Sequence, residues 1–138
     1  MADVETAKPG YMLKNLEEVK DSAVEFGLDD FQEARFATKD FDLTQAGFSF
    51  LRIKPGQRQP FGHTHDDAEE VYVVIAGSGK AMVGNDELDL KRYDALRVGP
   101  GITRAFEAGP DGLETLAFGQ HIEEDKGEAF NGWWGDPD

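Results

Sequence analysis

From Gln32 onward, apolar and polar residues either alternate or gather in short apolar runs. Segments 33–37, 47–54, 70–76, 80–83, 87–90, 95–98, 104–108 and 113–118 have the length and period of strands. Between many of them stand Pro55-Gly56, Gly77-Ser78-Gly79, Gly84-Asn85-Asp86, Gly99-Pro100-Gly101 and Gly109-Pro110-Asp111-Gly112, which supply the positive or fixed φ of a reversal. Many short strands at this spacing predict an antiparallel sandwich or barrel, and no long helical pattern supports a βαβ fold. Ahead of them, residues 11–13 read as a first strand. Asn15 reads as the N-cap of one short helix that ends before Phe26, with Leu16, Val19 and Ala23 at helical spacing. Residues 1–10, without periodicity, are expected to form a flexible arm. Residues 122–138 form an acidic tail, and the apolar surface of Trp133 and Trp134 predicts that it folds back onto the barrel or across a dimer.

Composition narrows the chemistry. At 138 residues the chain is one domain of ordinary size. It has no cysteine, so any metal must be held by nitrogen and oxygen. Fourteen basic against 28 acidic side chains give a net charge of −14, which repels nucleic acid and anionic membranes. The acidic N-terminus lacks the order of a signal peptide and no apolar run approaches membrane-spanning length, so the expected setting is cytoplasmic.

The candidate chemistry gathers at His63-Thr64-His65, just before an apolar, β-prone run. On an extended backbone residues two apart point to one side, so both imidazoles can aim at one point and a carboxylate from the next strand could join them. There is no glycine-rich phosphate loop opening a helix and no Gly-x-Ser-x-Gly.

Gly56, six residues, His63-Thr64-His65, four residues, Glu70, six residues and Gly77 together resemble the first motif of the cupin superfamily, which has five residues in the first gap. That spacing favours Glu70 over Glu69. The second motif is degenerate: Gly101 remains, while Tyr93, Gly99, Arg104 and Ala108 stand where the family has glycine, proline, histidine and asparagine. The resemblance implies an all-β fold, the antiparallel β-barrel or double-stranded β-helix of the cupin jelly roll. It would span residues 11–121 with one short N-terminal helix, in a protein that forms a homodimer.

It also implies a divalent metal (Fe, Mn, Ni or Zn) on His63, His65 and Glu70, beside a small organic ligand in the barrel. The reaction class would be metal-assisted oxygenation or isomerisation, if the protein is an enzyme. Arg104 opposes this, because a guanidinium has no lone pair for a metal. At about 4 Å from a dication, with an effective dielectric of ~20, it would be repelled by about 8 kcal/mol. It must therefore clamp an anionic ligand at the barrel mouth, pair with Glu70 in place of the metal, or lie outside the barrel. The second arrangement implies a metal-free, non-catalytic binding or sensor protein. Phe61, Tyr72, Met82 and Phe106 are candidates for the cavity wall, and Gln59 and Arg58 for its mouth. Asp66 and Asp67 read as a solvated turn within reach of an imidazole N–H, and His121 as an exposed loop residue.

Overall fold

The computed structural model describes residues 7–8, 10–121, 127, 129–131 and 134. Of the arm expected over residues 1–10, residues 1–6 and 9 lie outside the described residues, as do residues 122–126, 128, 132, 133 and 135–138 of the expected tail; residues 7–8 of the arm form a strand. Ala7–Lys8 (β1) and Tyr11–Met12 (β2) form a separate two-stranded antiparallel sheet. The predicted helix is a single 3-10 turn, Leu16–Glu18. Asn15 caps it by accepting from the Glu17 N–H, and Glu18 reaches back to the Asn15 N–H, a reciprocal capping box. No further turn is added, because Val19 already has extended backbone angles.

The other strands are β3 (Gln32–Phe36), β4 (Ala46–Ile53), β5 (Phe61–His63), β6 (Glu70–Val83), β7 (Asp86–Leu90), β8 (Ala95–Val98), β9 (Arg104–Gln120) and β10 (Ala129–Asn131). All eight join one antiparallel sheet, with β10, β5, β9, β4 and β3 in sequence and β6 pairing β7, β8 and β9. The short strands β5 and β10 were not predicted. Among the described residues no helix is long and apolar enough to cross a membrane.

Two predicted reversals are not reversals. Gly77-Ser78-Gly79 lies inside β6 and Gly109-Pro110-Asp111-Gly112 inside β9, where the register shifts and the two strands stay paired. Glycine is needed at this crossing because a Cβ on Gly77 would lie 2.0 Å from the Gly112 carbonyl oxygen, and one on Gly79 would lie 2.1 Å from that of Glu107. The glycines here bend a continuous ribbon, as in a bulge.

Side chains alternate inward and outward along these strands. On the outer face Glu33 pairs with Arg35 and with Arg52 across β3 and β4, at 2.6 Å each. On the inner face Ile53, Val74, Ala81, Val98, Phe106 and Leu113 form a dry core with Tyr72, Leu90, Ala108 and Ala117. That core fills only one end of the barrel.

Candidate functional site

The other end is a cavity of about 700 Å³. Alternate positions of β3 (Gln32, Ala34 and Phe36) and of β6 (Glu70 and Tyr72) line it, together with the consecutive residues 47–51 of β4 and Ala117, Gly119 and Gln120 of β9. Gln59, Phe61 and His63 continue the same alternation into β5. His63 is held between two strands, its backbone opposite Arg104 of β9 on one side and Ala129 of β10 on the other. His65 follows β5, anchored by its carbonyl, which accepts from the Gly101 N–H at 2.8 Å. Thr64 between them is buried.

His63, His65 and Glu70 thereby converge, with one ligand atom from each lying within 4.8 Å of the others. The two rings stand nearly perpendicular at 5.6 Å, and His65 Nε2 lies 3.7 Å from Glu70 Oε1. Glu70 Oε1 also accepts from the Tyr72 hydroxyl and from Arg104 Nη2 at 2.9 Å. Arg104 has no exposed surface. Its Nε donates to Tyr72 Oη at 3.0 Å and its Nη1 to the Ile102 carbonyl at 3.0 Å. Of the three arrangements open to Arg104, the structure has the pairing with Glu70.

Burial lowers the His63 pKa to about 4, with Arg104 adding to the effect, so this imidazole is neutral near pH 7 with a lone pair to give. Burial also pushes the Tyr72 phenol well above its ordinary range, helped by the Glu70 charge, so Tyr72 stays a hydrogen-bond donor.

Of the residues read as ligand contacts, Gln59, Phe61 and Tyr72 line the cavity, while Arg104, Met82 and Phe106 do not. Arg104 lies behind Tyr72, with each of its three nitrogens donating one hydrogen bond. Phe106 belongs to the core, its ring 4.7 Å from that of Tyr72. Met82 lies on the stretch of β6 that pairs with β7, beyond the cavity. Arg58 turns to Glu107, 2.5 Å away, and lies over the Trp134 ring at 4.5 Å. Trp134 Nε1 donates to the Gln59 carbonyl at 2.8 Å, so this residue of the tail does fold back onto the barrel. His121 was read as an exposed loop residue, but it is half-buried and lines the cavity, because it lies two residues beyond Gly119 on the inner face. Gln32 was not singled out. The signal for it was present: a glutamine in step with Ala34 and Phe36, out of step with Glu33 and Arg35.

No family model matches the chain, and no curated protein matches it by sequence. Solved structures do. A cupin protein from Bacteroides fragilis matches with a TM-score of 0.66 and 21% identity, over 86% of this chain and 91% of its own. A sugar phosphate isomerase of the cupin superfamily from Silicibacter pomeroyi matches with a TM-score of 0.66 and 16% identity, over 83% and 79%. A polyketide cyclase from Streptomyces resistomycificus matches with a TM-score of 0.67 and 18% identity, over 87% and 85%. The chain spans 64% of the length of a further neighbour, from Acidithiobacillus ferrooxidans. The fold is that of the cupins. These neighbours carry different activities, so fold alone does not assign one.

Proposed function

We propose that the protein is a small-molecule-binding cupin in which His63, His65 and Glu70 hold a divalent metal in the wall of an apolar cavity. The observation behind this reading is the convergence of those three ligand atoms within 4.8 Å. The donor set suits the group: two imidazoles, one kept neutral by burial, and a carboxylate make the composition taken by Fe(II) and accepted by Zn or Mn. Glu70 Oε1 is engaged by Tyr72 and Arg104, but a carboxylate has about four lone-pair sites, which leaves capacity for a metal. When bound, the metal supplies Lewis-acid or oxygen-activating chemistry, consistent with isomerisation or oxygenation. Tyr72 and Arg104 orient the carboxylate, while the Arg104 charge lowers the affinity below that of a site with a histidine in its place. The reading includes a homodimer in the cytoplasm.

A second reading is favoured by the 2.9 Å contact between Arg104 and Glu70, in which the guanidinium stands in for the metal and the protein binds its ligand without one. Elemental analysis after reconstitution with Fe(II), Mn(II), Ni(II) and Zn(II) separates the two. The metal reading expects close to one equivalent of at least one metal, reduced below about a tenth of an equivalent by Glu70→Gln or His65→Ala. Wild-type protein that itself holds less than about a tenth of an equivalent leaves only the metal-free reading.

A further inference from the structure

Two buried glutamines meet where the cavity ends against the core. Gln59 Oε1 accepts from the Phe106 backbone N–H at 3.0 Å, which fixes the orientation of that amide, because only its oxygen can accept. Gln59 Nε2 then donates to Gln32 Oε1 at 3.0 Å, which fixes the second amide in turn. The chain of bonds stops there. Gln32 Nε2 has no partner among the described residues, although Gln32 is only 8% exposed. The nitrogen is not sealed in, since Thr115 Oγ1 is the buried side-chain polar atom left unpaired among the described residues, and Gln32 lines the cavity.

No lysine or arginine is among the described residues lining the cavity, whereas Glu69 and Glu70 are. A ligand here meets aromatic and aliphatic walls, no cationic lysine or arginine side chain, and at the core end an amide with two N–H groups to give. From Gln59 to His63 is four residues with a bend at Pro60, a span of at most about 13 Å.

We infer that the cavity takes a neutral, mainly apolar molecule, with a ring system on the order of 10 Å long, and that Gln32 Nε2 donates to a carbonyl or similar acceptor at its inner end. This rests on the reading of the cavity as a small-molecule site but not on the presence of a metal. It departs from the anionic ligand that Arg104 suggested in the sequence, because Arg104 is spent on Glu70, Tyr72 and Ile102.

Equilibrium dialysis of the full chain, freed of metal by a chelator, with three probes tests it: 2-acetylnaphthalene, the near-isosteric 2-isopropylnaphthalene that lacks the acceptor, and the anion 2-naphthoate. The acetyl compound is expected to bind about tenfold more tightly than the isopropyl compound, and 2-naphthoate more weakly than either. Gln32→Leu is expected to abolish the acetyl preference while keeping isopropyl binding. In wild-type protein, where folding of the variant is not at issue, the Gln32 side-chain amide resonance should move with the acetyl probe and far less with the isopropyl probe. An unchanged preference in Gln32→Leu, or an amide resonance indifferent to the acetyl group, overturns the role of Gln32 and leaves the cavity reading standing. Tighter binding of 2-naphthoate overturns the neutral ligand class. Failure of all three probes to bind overturns the cavity reading and this inference with it.

Discussion

His63 ties stability to pH through its lowered pKa. In the unfolded chain an imidazole takes up a proton near pH 6.5, while in the folded, metal-free protein it does so only near pH 4. Between these values the unfolded state binds more protons, so stability present above pH 6.5 is lost as pH falls toward 4. The loss attributable to this residue is on the order of 3 kcal/mol. Urea midpoints from pH 7.5 to 4.5 should fall more steeply for wild type than for His63→Gln, and parallel curves would remove the effect from His63. At this scale the sequence was informative where spacing carries meaning: the His63, His65 and Glu70 interval was visible because strand period and gap length both constrain it. For Gln32 the strand period marked the face, in step with Ala34 and Phe36, but not that this face borders a cavity. Arg104 announced a conflict, but only the Tyr72 hydroxyl and the Ile102 carbonyl around it decide which way the side chain turns.

The elements were largely legible, because alternation marks half-buried strands regardless of how they pair. Ala95–Val98 was predicted with its observed bounds, and β3, β4 and β7 within a residue or so. The breaks assigned within β6 and β9 show what was missing, since glycine-rich segments serve a reversal and a bulge equally well and only the partner strand distinguishes them. The short β5 and β10 carry too few residues to show a period. The β6–β9 crossing yields a test that separates close approach from backbone angle. Gly79→Ala puts a methyl into the Glu107 carbonyl and should cost more than about 2 kcal/mol in urea unfolding. Gly84→Ala, at φ +59° with nothing within 4 Å, should cost only about 1 kcal/mol. Equal losses would contradict the steric account.

At the scale of the molecule, charge and apolar surface oppose each other. A net charge of −14 makes two copies repel, while Phe118, stacked on Phe48 with ring centroids 5.2 Å apart, and Tyr11 and Leu13 remain exposed. Salt weakens the repulsion and leaves apolar contact in place. Sedimentation velocity at micromolar concentration should therefore give a dimer at 0.5 M NaCl and a growing monomer fraction toward ~0.01 M. A monomer at both salts would refute the proposed homodimer.

Among the described residues, the strand that carries His63 pairs only with distant parts of the chain. Its partners are Arg104 and Ala129, 41 and 66 residues further along (104 − 63 and 129 − 63). On a ribosome adding about 5–20 residues per second, this strand waits roughly two to eight seconds for its first flank and roughly three to thirteen for its second. Its Phe61 and the two imidazoles spend that interval open to solvent, chaperones and free metal ions. This wall of the cavity is therefore among the last parts of the nascent protein to close.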